Sequence, residues 1–226
     1  MSATANRLEG APRAIIFDCD GVLIDSWDST MYFYNRIREI LGLRPLSREE
    51  EDYVWVSTVR DGLDRVTPPE LTARAWEEVA RLDWDDMSTR VKVEPGLPEF
   101  LSFLRDAEIE AAVNTNGGNE APRILAMLGI SNWFRTIVTA DDVARPKPHP
   151  EGAEKILGIL GISRDRTVFI GDSAVDQKTA RAAGLRFWAY KNPGLEADYH
   201  VSEYGELKKE LTRLAAAEKK PQPASE

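Results

Sequence analysis

The sequence predicts a doubly wound α/β fold, built on a parallel sheet and interrupted by one all-helical module. Short runs of β-branched and other apolar residues recur along the chain, separated by segments whose apolar residues repeat at helical spacing. The runs are apolar on both faces, which is typical of strands buried between two layers of helices. We expect five such strands, at residues 14–17, 111–113, 136–138, 167–170 and the aromatic run 187–190.

The interval 27–93 differs from the rest of the chain, because its signals are all helical. Apolar residues repeat at helical spacing between Met31 and Leu41. Capping-box sequences, in which a hydroxyl residue is followed three positions later by glutamate, begin at Ser47 and Thr67 and predict two further helix starts. We therefore expect an all-helical module inserted directly after the first strand.

These patterns divide the chain into an α/β core and an inserted module. We expect the core at residues 12–26 and 94–217, the helical module at 27–93, and flexible polar tails at 1–11 and 218–226. Because two connections join the module to the core, the arrangement suggests a hinged lid.

The composition predicts a cytoplasmic protein that binds neither membranes nor nucleic acid. No stretch approaches the roughly 18 to 20 consecutive apolar residues of a membrane helix, and the first residues lack the apolar segment of a signal peptide. The single cysteine, Cys19, excludes an internal disulfide. The net charge of −9 repels nucleic acid at long range. The two histidines belong to no paired Cys/His spacing, so we expect any metal to bind oxygen ligands.

Polar clusters follow four of the predicted strands. Because the carboxyl ends of parallel strands lie along one edge of a sheet, where ligands bind, we expect these clusters to meet. They are Asp18-Cys19-Asp20-Gly21, Thr115-Asn116-Gly117, Arg145-Pro146-Lys147-Pro148, and Gly171-Asp172-Ser173 with Asp176. Their meeting would gather several carboxylates, a lysine, a hydroxyl and an amide at one place.

These groups together predict a magnesium-dependent site for a phosphate ester. Crowded carboxylates repel one another unless a cation neutralises them. Mg²⁺ prefers oxygen ligands, so Asp18 and Asp172 are candidate direct ligands. Lys147, Thr115 and Asn116 would supply positive charge and hydrogen-bond donors to a tetrahedral anion. An aspartate can also accept a phosphoryl group covalently, because the acyl phosphate that forms is reactive toward water.

The four clusters, in this order and with a helical insert between the first two, resemble the motifs of the haloacid dehalogenase superfamily. The motif residues are Asp18-x-Asp20-Gly-Val-Leu-Ile-Asp25-Ser26, Thr115-Asn116-Gly117, Lys147-Pro148 and Gly171-Asp172-Ser173-x-x-Asp176. The resemblance extends from Ala14 to about Tyr190 and is to the branch that contains phosphoglycolate phosphatase and beta-phosphoglucomutase. It implies a Rossmann-like core with a helical cap domain.

By motif position, the resemblance also implies a role for each residue. Asp18 would be the nucleophile and bind Mg²⁺. Asp20 would be the general acid and then the general base, and its carbonyl would bind the metal. Lys147 would balance charge on the nucleophile and phosphate, and Asp172 would bind Mg²⁺. The other implied residues are Thr115, Asn116 and Gly117 around the phosphoryl group, and Ser173 and Asp176 as supports of the metal ligands.

Three functions are compatible with these residues. The first is hydrolysis of a small phosphorylated metabolite; the alternatives are a sugar-phosphate phosphomutase and a binding protein without turnover. Asp20 favours chemistry on an alcohol leaving group, which must be protonated, and a binding protein needs neither nucleophile nor acid. The module has no histidine and no lysine before Lys92, whereas the mutase branch usually has such groups to handle a second phosphate. Arg60 and Arg65 are candidate contacts for a second acidic group, such as a carboxylate.

Overall fold

The computed structural model describes residues 11–82 and 89–218. In chain order the strands are β1 (Ala14–Phe17), β2 (Ile24–Asp25), β3 (Lys92–Val93), β4 (Glu110–Asn114), β5 (Thr136–Val138), β6 (Thr167–Gly171), β7 (Arg186–Tyr190) and β8 (Tyr199–Val201). The α-helices of the described residues are α1 (Trp27–Ile40), α2 (Arg48–Val56), α3 (Val59–Val66), α4 (Thr72–Val79), α5 (Leu97–Asp106), α6 (Glu120–Met127), α7 (Glu151–Leu160), α8 (Ala174–Ala182) and α9 (Tyr204–Glu218). Within this part of the chain, no helix is both long enough and apolar enough to cross a membrane.

Six parallel strands form the central sheet, in the order β5-β4-β1-β6-β7-β8. The chain adds strands on one side of β1 and then on the other, so the order reverses at β1. Such a reversal opens a crevice at the carboxyl ends of the central strands. The fold class expected from the sequence is confirmed, with β8 as an additional edge strand that the sequence did not reveal.

Helices cover both faces of the sheet, because its strands are apolar on both sides. Successive side chains of β1 point to opposite faces, so Ile15 and Phe17 enter one apolar cluster and Ile16 enters the other. The first cluster includes residues of α5, α6 and α9, and the second includes residues of α7 and α8. This packing holds the carboxyl ends of β1, β4 and β6 side by side.

The helices α1 to α4 pack around an apolar cluster of their own. It is built from Met31, Phe33, Tyr34, Ile37, Leu41, Val54, Leu63, Val66 and Ala75. The two connections to the core pair with each other as the antiparallel strands β2 and β3, with Asp25 opposite Lys92. Residues 83–88 of the predicted module, including Trp84, lie outside the described residues.

The two capping boxes expected in the module have different outcomes. At Ser47, the hydroxyl accepts a hydrogen bond from the amide of Glu50, whose carboxylate accepts one from the amide of Ser47. The expectation at Thr67 is wrong, because Thr67 closes α3 and its hydroxyl is buried without a hydrogen-bond partner. The prolines that follow it lack amide hydrogens, and a short 3-10 turn at Pro69–Leu71 precedes α4.

Both described ends of the chain are held against the core. Ala11 is buried, and its amide donates to the carboxylate of Glu218, the last residue of α9. The same carboxylate pairs with Arg166 at 2.8 Å. Residues 1–10 and 219–226 of the predicted tails lie outside the described residues.

Candidate active site

The carboxyl edge of the sheet brings the charged residues of three motifs into direct contact. The ammonium of Lys147 lies 2.7 Å from a carboxylate oxygen of Asp18, at the end of β1, and 2.7 Å from one of Asp176, in α8. The Lys147 side chain is only 3% exposed. Carboxylate oxygens of Asp18, Asp172 and Asp176 lie within 4.8 Å of one another. One buried cation therefore lies among three converging carboxylates.

The surroundings of Asp18 set the protonation of the cluster. Burial, followed by the charge of Asp176, raises the pKa of Asp18 well above its ordinary value, although Lys147 opposes the shift. Burial and then Asp176 raise the pKa of Asp172 to about 7. Burial alone would lower the pKa of Lys147, but the two carboxylates in contact with it outweigh burial and raise it. The cluster holds more negative charge than one ammonium can balance.

This donor set fits a hard divalent cation. The atoms that could bind a metal are carboxylate oxygens, and they lie close enough together to share one ion. Two positive charges would relieve the repulsion among the carboxylates. Asp176 contributes least to such a site, because both of its carboxylate oxygens are engaged. One accepts a hydrogen bond from the Lys147 ammonium and the other accepts one from the backbone amide of Ser173. Asp18 and Asp172 are the carboxylates best placed to bind the ion.

The loop after β1 carries Asp20 beside the cluster. The carboxylate of Asp20 accepts a hydrogen bond from the hydroxyl of Ser26, which precedes α1 but does not cap it. Burial raises the pKa of Asp20, while the Ser26 hydrogen bond acts in the opposite direction. Gly21 has a φ of +73°, and a β-carbon there would come within 2.2 Å of the Asp172 carboxylate. The turn therefore needs glycine for both backbone conformation and space.

The loop after β4 forms a second wall of hydrogen-bonding groups. Thr115 is buried, and its hydroxyl accepts a hydrogen bond from the backbone amide of Gly117 at 2.9 Å. The side-chain amide of Asn116 donates to the carbonyl of Lys147 at 3.1 Å and to the carbonyl of Val56, in the helical module, at 3.3 Å. Its carbonyl oxygen is buried without a partner. Asn116 thus links two motifs and the module.

Ser173 and Asp176 form the capping box of α8. The Ser173 hydroxyl accepts a hydrogen bond from the backbone amide of Asp176 at 3.2 Å, and the Asp176 carboxylate accepts one from the backbone amide of Ser173 at 3.1 Å. Asp176 is fully buried, so its contact with Lys147 is held in one geometry. The helix cap therefore also positions the buried cation, a contact that the sequence did not indicate.

A cleft opens over this cluster between the core and the helical module. The predicted residues that line it are Asp18, Asp20, Thr115, Asn116, Gly117, Lys147, Asp172 and Ser173. Residues that the sequence did not single out also line it, among them Phe33, Tyr34, Trp55, Val59, Glu120 and Ile124. Glu120 follows the second motif by three residues, but nothing in the sequence shows that its helix turns it toward the cleft.

Arg60 and Arg65 are not brought to the cleft. The Arg60 guanidinium lies over the ring of Trp76, 5.6 Å from its centroid, and that of Arg65 lies 5.7 Å from the ring centroid of Tyr53. Neither arginine is among the residues that line the cleft. Stacking on an aromatic face holds each guanidinium on the module's own surface.

Known proteins share this architecture. Residues 15–190 match the haloacid dehalogenase-like hydrolase family. The chain is 30% identical to a phosphoglycolate phosphatase of Chromobacterium violaceum, with 86% of this chain and 94% of that one covered. A crystal structure of a subfamily IA hydrolase of the same superfamily, from Geobacter sulfurreducens, is 33% identical, with 89% of this chain and 97% of that one covered and a TM-score of 0.73.

A further likeness concerns the fold alone. The crystal structure of a putative beta-phosphoglucomutase from Thermotoga maritima has a TM-score of 0.70 at 23% identity, with 89% of this chain and 99% of that one covered. The family match at residues 15–190 includes the four motifs, the helical insert and the sheet as far as β7. The chain therefore belongs to the haloacid dehalogenase-like hydrolases and is a phosphatase of that family.

Proposed function

We propose that the protein hydrolyses small phosphate monoesters through a phosphoaspartate formed on Asp18. The observation that carries this proposal is the contact of Lys147 with both Asp18 and Asp176, beside Asp172. A buried ammonium against a carboxylate holds it in one orientation and would offset the charge that a phosphoryl group brings. A binding site for phosphate would not need a buried carboxylate at this place.

In the proposed first step, a carboxylate oxygen of Asp18 attacks phosphorus as the ester bond to the leaving oxygen breaks. Asp20, protonated at the start, donates its proton to that oxygen, so the alcohol leaves neutral. The burial that raises the pKa of Asp20 favours the protonated form, and Ser26 orients the carboxyl group.

In the second step, Asp20 accepts a proton from water, and the water oxygen attacks the phosphorus of the acyl phosphate. The bond from Asp18 to phosphorus then breaks, which releases inorganic phosphate and restores the carboxylate. The Thr115 hydroxyl and the backbone amide of Asn116 would donate hydrogen bonds to the phosphoryl oxygens, and the Gly117 amide, which donates to the Thr115 hydroxyl, would orient that hydroxyl toward them. Asp18, Asp172 and the carbonyl of Asp20 would hold Mg²⁺, which supplies positive charge near the reacting phosphate.

We also propose that the helical module closes over the site. The hydrogen bond from Asn116 to the carbonyl of Val56 and the approach of Trp55 to Gly21 support a closed arrangement. The paired connections at β2 and β3 are the natural place for a hinge, because the chain passes between core and module there. Closure would exclude water from the first step.

The substrate is proposed to be a small phosphorylated metabolite of the cytoplasm. The relatives named phosphoglycolate phosphatases make 2-phosphoglycolate one candidate. A phosphomutase would need to bind a second phosphate, and among the described residues lining the cleft the one cation, Lys147, is already held by two carboxylates. This arrangement favours hydrolysis.

Release of phosphate from phenyl phosphate tests the proposal. We expect hydrolysis with Mg²⁺, loss of activity in EDTA and recovery when excess Mg²⁺ is returned. Full activity in EDTA would refute the metal-dependent mechanism. No hydrolysis under any of these conditions would refute the proposed function.

A further inference from the structure

The wall that the helical module contributes to the cleft is built from apolar side chains and from the hydroxyl residues Ser29, Thr30, Tyr34 and Ser57, and none of its described residues is charged. Phe33 of α1, Trp55 of α2 and Val59 of α3 line it, and Ile124 of α6 continues it on the core side. Phe33 is buried, and the other three are half-buried. The Trp55 ring packs against Trp27 with 5.0 Å between ring centroids, so it is held in place by its own neighbours. This wall is where the organic part of an ester would lie.

The charges in the cleft are predominantly negative. Among the described residues that line it, Lys147 is the one cation, and its ammonium already contacts the carboxylates of Asp18 and Asp176. Glu120 adds a carboxylate to those of the motifs, with one oxygen held by the amide of Gly118 at 2.7 Å. The proposed Mg²⁺ would be engaged by the motif carboxylates and the reacting phosphate, so a second anionic group on a substrate would meet Glu120 and, among the described residues that line the cleft, no unengaged cation.

The nearby arginines of the module do not change this balance. Arg60 and Arg65 lie on the rings of Trp76 and Tyr53, and Arg90 lies 4.1 Å from the ring centroid of Tyr32. None of the three lines the cleft. The sequence of residues 83–88, which the structure does not describe, contains neither lysine nor arginine.

On the basis of the function proposed above, we infer that the organic part of the substrate carries no negative charge and binds by apolar contact with the module. Placing a carboxylate against this wall would strip much of its water, and the neutral hydroxyl groups of the wall offer it no balancing positive charge. An alkyl or aromatic group would instead bury apolar surface on Phe33, Trp55 and Val59. The cleft thus selects against 2-phosphoglycolate, the candidate that the names of the relatives suggest.

Three esters of matched shape test this inference: 2-phosphoglycolate, the phosphate ester of glycolamide, and isobutyl phosphate. Their organic groups are nearly isosteric, and only the first carries a second negative charge. A carboxamide withdraws electrons more strongly than a carboxylate, and an isobutyl group less strongly. The acidity of the glycolate hydroxyl therefore lies between those of glycolamide and isobutanol. Leaving-group acidity alone cannot make 2-phosphoglycolate the slowest substrate of the three.

We expect kcat/KM for both neutral esters to exceed that for 2-phosphoglycolate by at least about tenfold, the effect of one uncompensated charge at a partly buried site. Glu120→Gln should narrow this difference several-fold by removing the nearest additional carboxylate. Glu99→Gln, on the exposed surface of α5, makes the same change in net charge and should leave the difference unaltered.

A second pair of variants keeps the test decisive if Glu120→Gln perturbs its loop. Val59→Arg should raise kcat/KM for 2-phosphoglycolate relative to the glycolamide ester by about tenfold, whereas Val59→Met, which is long but uncharged, should not. A preference of the wild-type protein for 2-phosphoglycolate, with Asp18-dependent hydrolysis of phenyl phosphate retained, overturns the inference and leaves the proposed function standing. No hydrolysis of any ester, phenyl phosphate included, overturns both.

Discussion

The edge of the sheet and the wall of the helical module face each other across the cleft with opposite chemistry. On the sheet side, Asp18, Lys147 and Asp176 are buried and joined by contacts of 2.7 Å. On the module side, Trp55 and Val59 present apolar surface. On the proposed mechanism, bond breaking and choice of substrate would belong to separate parts of the chain, so that substitutions should affect them separately.

The largest expected effect is at Asp18. Asp18→Asn should lower kcat for phenyl phosphate by several orders of magnitude, because it removes the proposed covalent route for a reaction that is very slow without catalysis. Asp25→Asn is the matched control, since Asp25 is exposed in the same motif and should keep activity near that of the wild type. Comparable activity in the two variants would assign the nucleophile elsewhere.

The module side should show a smaller effect, on binding. Trp55→Ala should raise KM for phenyl phosphate by about tenfold with a lesser change in kcat, because it removes apolar contact area from the cleft. Tyr53→Ala, on the exposed face of the same helix, should leave both constants unchanged. Initial rates over a range of substrate concentrations separate the two constants, and a loss confined to kcat would place Trp55 among the groups that act on the reacting phosphate.

The carboxylates of the sheet edge also predict a pH dependence of stability in the absence of metal. The pKa of Asp172 is raised to about 7, so the folded protein binds a proton there that the unfolded chain releases at lower pH. The proton bound at Asp172 stabilises the folded protein. Its contribution to the free energy of unfolding is complete below about pH 4 and is lost as the pH rises through about 7.

The midpoint of thermal unfolding in EDTA should therefore fall by a few degrees, on account of Asp172, as the pH rises over that interval. Asp172→Asn should abolish this contribution to the pH dependence. Mg²⁺ should protect the wild-type protein more at pH 8 than at pH 5, because the carboxylates must be ionised to bind it. Equal protection at the two pH values would contradict a metal site made of these groups.

The smallest effect is expected at the arginines of the module. Arg60→Ala and Arg65→Ala should change kcat/KM by no more than about twofold for any of the test esters, because their guanidinium groups lie on aromatic rings outside the cleft. A loss limited to 2-phosphoglycolate in either variant would show that the module supplies a cation during turnover. That result would break the contrast between the two walls.

The chemistry of the sheet edge could be predicted from the sequence because strand ends impose it. Buried apolar runs specify parallel strands, and residues that directly follow them, such as Asp18 and Asp172, must reach the same edge. The partnership of Lys147 with Asp176 could not be predicted, since it depends on the position of a helix relative to a loop 29 residues away.

The module side was less predictable for a physical reason. Which apolar residues face the cleft depends on how four helices pack together and against the core, and an apolar stripe looks the same whether it faces a core or a ligand. Trp55 and Val59 illustrate this, and Glu120 shows the same for a charged residue. Local signals also compete: the sequence at Thr67 satisfies the capping-box pattern, but the end of α3 and two prolines determine its structure.

Chemical trapping of the phosphoenzyme tests the central claim most directly. In Asp20→Asn, activated aryl phosphates still offer a leaving group that needs no proton, but the base for the second step is lost, so the acyl phosphate should accumulate. Borohydride reduces an acyl phosphate to an alcohol, which would convert Asp18 to homoserine. We predict homoserine at position 18 by peptide mass spectrometry after reaction with p-nitrophenyl phosphate and Mg²⁺, and none in Asp18→Asn. Release of p-nitrophenol without modification of Asp18, or with modification of another residue, would contradict the account.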